Sequence, residues 1–186
     1  MNTQKKLTRM SFYLLLGLLG TACSKDKTKD YPLLPEEQEK EMDITAYGVL
    51  KVNRENANGK DGGEGSLKVV DEDYKSKYLI NPYQNDMYIQ LGFPGTIKLG
   101  AYTLTSGNDA PGRDPKDWTI TGSADGTTWK IVDERKDEKF AGRNETRRFQ
   151  ITTTESFKFY RINILSNGGE SLFQLSEFRL INAPGN

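Results

Sequence analysis

The chain of 186 residues sets 26 basic against 26 acidic side chains and carries no histidine and one cysteine. Zero net charge supplies no field for gathering nucleic acid or an anionic membrane surface. The missing imidazole excludes Ser-His-Asp and Cys-His catalysis, His-ligated zinc and the usual general base near neutral pH. Any chemistry here would have to run on carboxylates, Lys, Tyr or Ser.

Residues 1–22 read as a signal peptide. Lys5, Lys6 and Arg9 precede the apolar run Met10–Leu19, too short to cross a bilayer but suited to the core of a leader. The run ends in "GTAC", small residues leading directly into Cys23. This ending resembles a bacterial lipobox, with Gly20 where Leu or Val is usual, and implies lipidation of Cys23. The other reading is an ordinary secretory signal with an incidental cysteine. As the sole cysteine, Cys23 has no disulfide partner, so an exported domain must hold by packing alone. Residues 23–41, charged and punctuated by Pro32 and Pro35, read as a flexible tether. Residues 42–182 have the size of one domain, with 183–186 as a tail.

Within that domain, short runs alternate apolar and polar residues with the period of strands. They are "MYIQLGF" (87–93), "TIKLGAYTLTS" (96–106), "WTITGS" (118–123), "RRFQITT" (147–153), "FKFYRINIL" (157–165) and "FQLSEFRLI" (173–181). In "ADGTTWKIV", Asp125-Gly126 is a tight-turn signal between two strands. In "FKFYRINIL" the apolar face changes sides near Tyr160, as a bulge or sheet corner would cause. No helical period follows the leader. The pattern predicts an all-β domain, a single β-sandwich or jelly roll whose ligands would meet the connecting loops.

Ordered landmarks then carry a resemblance. "YTLTSGNDAPGRDPKDWTITGSADGTTWKIVDER" and "FYRINILSNGGESLFQLSEFRLI" resemble the coagulation factor 5/8 type C, or discoidin, domain, nearest to the family 32 carbohydrate-binding modules of bacterial surface proteins. The resemblance covers residues 62–181. It implies an eight-stranded, galactose-binding-domain-like jelly-roll sandwich with its termini close together. By that resemblance Trp118 begins a strand and packs inside, and Trp129 does the same. Pro115 fixes its own φ and biases Asp114 toward extended geometry. Arg113 would clamp Asp109, Asp114 or Asp117, holding the loop 108–118. Alternatively Arg113 and Asp109 face outward toward sugar hydroxyls.

The resemblance further implies a structural calcium site in "LKVVDEDYKSKY" (67–78). Its ligands would be the Lys68 carbonyl, Asp71 carboxylate, Asp73 carbonyl and Ser76 hydroxyl, with the Ser176 carbonyl and Glu177 carboxylate from the last strand. Oxygen donors on a tight turn suit a hard cation. Ser76 stands for the usual Thr, Tyr78 for Trp, and Glu72 for a common Gly, which opposes a positive φ there. The alternative is a metal-free acidic turn bridged by Lys75 or Lys77. Ligand contacts are expected from Asn81, Tyr83 and Asn85 in "INPYQND" (80–86), from Asp109 and Arg113, and from Arg143 in "KFAGRNE" (139–145). Tyr83 is either a sugar-stacking ring or an ordinary turn aromatic, and Phe173 a core residue. The resulting expectation is a non-catalytic, carbohydrate-binding lipoprotein of the bacterial cell envelope, lipid-anchored at the outer membrane. The competing expectation is a structural or protein-interaction subunit of an envelope complex. A carboxylate-based hydrolase and a lipid-binding domain rank below both.

Overall fold

The computed structural model describes residues 40–184, so Cys23, the leader and most of the tether lie outside the described residues. The strands are β1 (Val49–Val52), β2 (Tyr78–Ile80), β3 (Tyr88–Ile97), β4 (Leu99–Thr105), β5 (Pro115–Ser123), β6 (Lys130–Arg135), β7 (Thr146–Gln150), β8 (Phe157–Asn167), β9 (Phe173–Leu175) and β10 (Glu177–Asn182). They form a five-stranded sheet in the order β1-β3-β8-β5-β6, a three-stranded sheet β10-β4-β7 and a small pair β2-β9. Every pairing is antiparallel.

Alternation decides which faces meet. Ile89, Leu91 and Phe93 of β3, Trp118 and Ile120 of β5, and Ile162 and Ile164 of β8 are buried on one face of the larger sheet. They share one core with Tyr102 and Leu104 of β4, Phe149 of β7, and Phe178 and Leu180 of β10. The result is a β-sandwich, in which burying each large apolar side chain contributes on the order of 1.5–3 kcal/mol. Trp118 Nε1 donates to Tyr102 Oη at 2.8 Å across the two sheets, so the buried indole keeps a partner.

The ends of the domain lie together, as expected. Asp43 bridges Ile181, Ile44 N donates to Leu180 O at 2.9 Å, and Met42 N donates to Asn182 Oδ1 at 2.6 Å. Glu41, at the end of the charged stretch, pairs with Arg148 at 2.7 Å.

Three expectations need correction. "TIKLGAYTLTS" is not one strand: the chain changes sheets at Lys98, leaving β3 for β4. "FQLSEFRLI" likewise divides at Ser176 into β9 and β10, which pair with β2 and β4 respectively. Unbroken alternation cannot mark a sheet switch, because both halves remain half-buried strand. The third concerns Trp129, which lies on the outer face of the larger sheet, half-buried, with the Arg161 guanidinium 3.9 Å from its ring centroid. A cationic partner there replaces the core contact that the resemblance implies. The strands β1 and β2 carry no expectation; each is four residues or fewer, too short to show a period.

The change of face near Tyr160 is present. Phe157 and Tyr160 are both buried while Lys158 and Phe159 are not, and the β3–β8 register shifts between Gly92 and Ile97. Phe157 packs over Gly122 so closely that a Cβ there would meet its ring at 2.2 Å. The Asp125-Gly126 hairpin also forms between β5 and β6, with Gly126 at φ +77 and Asp125 Oδ1 accepting the Thr127 and Thr128 N–H groups at 2.8 Å.

Candidate functional site

The loop 108–114 between β4 and β5 is built as a brace. Asp114 is extended (φ −68, ψ 151) before Pro115 and is buried. Its Oδ1 accepts from Gly107 N at 3.2 Å and from Gln174 Nε2 at 3.1 Å, and Arg143 Nη2 lies 2.5 Å from its Oδ2. Arg143 also donates to the Asp109 carbonyl at 2.8 Å, tying the loop before β7 to the loop before β5.

Arg113 faces the other way. Its Nε donates to Glu170 Oε2 at 2.9 Å, and its Nη1 lies 3.8 Å from Asp109 Oδ2. Of the clamp partners expected for Arg113, Asp109 is present; Asp114 belongs to Arg143 and Asp117 to Ser166. Lys77, nearly buried, donates to Asp109 Oδ2 at 2.7 Å and Asn108 Oδ1 at 3.0 Å. That hydrogen bond from Lys77 holds the Asp109 carboxyl below its usual range, with Arg113 and Arg143 adding to the effect. The structure therefore brings Asp109, Arg113 and Arg143 into one cluster and adds Glu170 and Lys77. Gly112 and Gly168 permit this: a Cβ on Gly168 would sit 2.8 Å from Gly112 Cα. The two glycines of "SNGGES" were the available signal for Glu170, since close backbone approach requires such residues. A cleft of about 320 Å³ lies beside the cluster, lined by Gly112, Asp114, Lys116, Glu138, Phe140 and Gly168.

Tyr83 joins this end through its backbone, its N–H donating to Ser171 O at 2.8 Å. Its ring stacks against buried Phe173 at 6.1 Å, and its hydroxyl donates to Ile164 O at 3.3 Å. Burial, then Asp117 and Asp86, push its phenol up to about 12. Asn81 and Asn85 are exposed, and no hydrogen bond or ion pair joins them to the Arg113 cluster among the described residues.

The acidic turn gathers its expected donors. Ser76 Oγ lies 3.0 Å from both Asp71 carboxylate oxygens and 3.5 Å from the Lys68 carbonyl. Asp73 O accepts Ser76 N–H at 2.9 Å, and Glu72 does take a positive φ of 67. Lys68, rather than Lys75 or Lys77, bridges to Asp71, at 3.2 Å. Burial alone raises the Asp71 carboxyl, but the Asp73 N–H, Ser76 hydroxyl and Lys68 together hold it below its usual value. From β10, buried Glu177 faces Asp71 and leaves Oε1 without a hydrogen-bond partner among the described residues. Burial pushes the Glu177 carboxyl up to about 7, against Arg179 and with the help of Asp71.

Two facing carboxylates, one with an orphaned buried oxygen, fit a hard cation supplemented by backbone carbonyls. Among the described residues no group of three His, Cys, Asp or Glu side chains converges, so such a site would depend on carbonyls for most of its ligands. Arg179 closes the far side, pairing with Asp43 at 2.8 Å, Glu72 at 2.9 Å and Glu177 at 3.4 Å.

Comparison with known proteins places this geometry. The model of the F5/8 type C domain matches residues 51–178. A peptide-N(4)-(N-acetyl-beta-glucosaminyl)asparagine amidase of Arabidopsis thaliana is 38% identical over 88 residues, 45% of this chain but 12% of that protein's length. CpGH89CBM32-5 from Clostridium perfringens, solved in complex with GalNAc-β-1,3-galactose, superposes with a TM-score of 0.63 at 12% identity, over 75% of this chain and 99% of that one. The family 32 module of C. perfringens NanJ, in complex with galactose, gives 0.61 at 10% identity over 76% and 99%. The family 32 module of AlyQ, in complex with 4,5-unsaturated mannuronic acid, gives 0.55 at 13% identity over 71% and 92%. At these identities the solved structures share the sandwich itself. On its family match, the chain belongs to the F5/8 type C domain family.

Proposed function

We propose that this protein is a non-catalytic, carbohydrate-binding lipoprotein that holds glycans at the loop end of its sandwich. The observation that carries this reading is the Asp109–Arg113–Glu170 cluster. Two half-exposed carboxylates flank one guanidinium, beside a cleft of about 320 Å³. Fixed planar acceptors and donors at a concave surface suit the paired hydroxyls of a sugar ring. Solved domains of the same fold hold galactose-containing ligands and an unsaturated uronic acid, which supports a saccharide over other small molecules.

Calcium is the cation proposed for the acidic turn, held by the Asp71 and Glu177 carboxylates, the Ser76 hydroxyl and the carbonyls of Lys68, Asp73 and Ser176. Its role would be to tie the start of the domain to β10. Lipidation of Cys23 would anchor the chain in the outer membrane, with glycan capture serving neighbouring envelope proteins.

A glycan-array screen of the full chain, with and without calcium chelation, tests the central reading. Saturable binding weakened at least tenfold by Arg113→Ala is the expected result. A blank array from folded protein would sink it and favour a protein partner instead. Loss of palmitate labelling in Cys23→Ser would support the anchor, and retained labelling would remove it.

A further inference from the structure

The outer face of the five-stranded sheet, away from the loop end, holds an arginine treated unlike any other among the described residues. Arg54, Arg113, Arg135, Arg143, Arg147, Arg148 and Arg179 each lie within 4.0 Å of a carboxylate. Arg161, on β8, has no carboxylate partner among the described residues. Two aromatic rings hold it instead, with its guanidinium carbon 3.7 Å from the Tyr88 centroid and 3.9 Å from that of Trp129. Gln90, its cross-strand neighbour on β3, accepts from Nη2 at 2.8 Å. The Nε atom is buried without a partner.

Such a group is oriented and desolvated but not neutralised. Burial lowers its pKa from the ordinary value, because the lost hydration outweighs what the rings and Gln90 return. With rings on both faces and Nε buried, the Nη1–Nη2 end of the guanidinium is the edge left to a carboxylate, which meets such an end with two parallel N–H···O bonds. The surroundings add polar groups with capacity to spare. Asn163 gives its amide protons to Thr119 and Thr121 at 3.1 and 3.2 Å, which turns its carbonyl oxygen outward from those bonds. The Tyr88 hydroxyl and Trp129 Nε1 have no hydrogen-bond partner among the described residues. A purely structural arginine on a sheet surface needs neither idle donors beside it nor the exclusion of every carboxylate.

We propose that this face is a second binding site, separate from the loop cluster, in which Arg161 between Tyr88 and Trp129 receives the carboxylate of an acidic saccharide. The carboxylate follows from Arg161 alone; the saccharide rests on the carbohydrate reading above. The hydroxyl and indole N–H beside the cation then serve ring hydroxyls.

Trp129 makes the site directly observable. The chain has two tryptophans, and Trp118 is fully buried in the core with its N–H bonded to Tyr102. An oligogalacturonide titrated into the full chain should therefore change Trp129 fluorescence saturably. A neutral galacto-oligosaccharide of equal length should bind there at least tenfold more weakly. Arg161→Gln should weaken the acidic ligand at least tenfold, and Arg113→Ala should leave it unchanged. Should Arg161→Gln not fold, Arg161→Lys keeps a cation between the rings but not the planar fork, and the same tenfold loss is expected of it. Binding that survives both Arg161 variants, binding lost on Arg113→Ala, or no saturable change with the acidic ligand would each overturn the second site. The loop reading is judged apart from this, by the sensitivity of neutral-glycan binding to Arg113→Ala.

Discussion

Tyr102 stands between Trp118 and Asp133: its hydroxyl accepts the indole N–H at 2.8 Å and donates to Asp133 Oδ2 at 2.6 Å. Burial first, and then the Asp133 hydrogen bond, raise the phenol well above its ordinary value, so it remains a donor throughout the accessible pH range. Tyr102→Phe removes the acceptor of a fully buried indole and the donor to a partly buried carboxylate. A loss of about 1–3 kcal/mol is expected in urea unfolding at pH 7, because the buried indole N–H is left unsatisfied while Asp133 Oδ2 keeps the Arg135 Nε–H at 2.8 Å. A loss below about 0.5 kcal/mol would mean that water replaces the phenol.

Asp114 is the internal anchor of the 108–114 loop. It is buried and receives Gly107, Gln174 and Arg143. Asp114→Ala strands the buried Gly107 N–H and leaves Arg143 without its ion-pair partner, while the Gln174 amide keeps the Ala110 carbonyl at 3.0 Å. The expected cost is about 2–4 kcal/mol, below the upper range for buried pairs because Arg143 is partly solvated. Denaturant midpoints would measure it, and glycan affinity at the loop end should fall in the same variant even where it remains folded.

Glu177 gives the protein an unusual pH dependence. Its folded carboxyl sits at about 7 against an ordinary 4.5, so the folded state holds a proton that the unfolded chain has already released between those values. Stability is therefore fully present below about pH 4.5 as far as this group is concerned, and falls as pH rises toward 7. Carboxyls held below their usual range, such as Asp43 and Asp109, act oppositely and at lower pH, losing their contribution as acid protonates them. In chelator, thermal stability should decline from pH 5 to pH 7.5, and Glu177→Gln should flatten that decline. An equal slope in the variant would assign it to another group.

Calcium bound at the proposed site should reverse the same slope. A cation at Asp71 and Glu177 binds the deprotonated pair, so its stabilisation should grow as pH rises. At a concentration 100 times its dissociation constant it adds about 2.7 kcal/mol, or roughly 5 °C or more in Tm for a domain of this size. The shift should be larger at pH 7.5 than at pH 5 and should vanish in Asp71→Asn. An unchanged Tm at every pH would show that Lys68 and Arg179 neutralise the turn by themselves.

Alternation alone made the sandwich legible. The period of two survives in β3, β5 and β8 because each packs one face on the core, and Asp125-Gly126 marks its hairpin through purely local geometry. The acidic turn was legible through the resemblance to the discoidin family, and its Asp71, Asp73 and Ser76 meet because they lie within one short stretch. Other features depend on which strands become neighbours. The pairing of β5 and β3 with β8 sets Trp129 and Tyr88 on the two faces of Arg161, and the meeting of the Gly112 and Gly168 loops assigns Glu170 to Arg113. Arg179 finds Asp43 and Glu72 in the same way, across the joined ends of the domain. A charged side chain has no periodic signature of its own. Its partner is whatever the sheet topology brings within a few ångströms, so spacing along the sequence determined the fold class, and long-range strand pairing determined which charged groups meet.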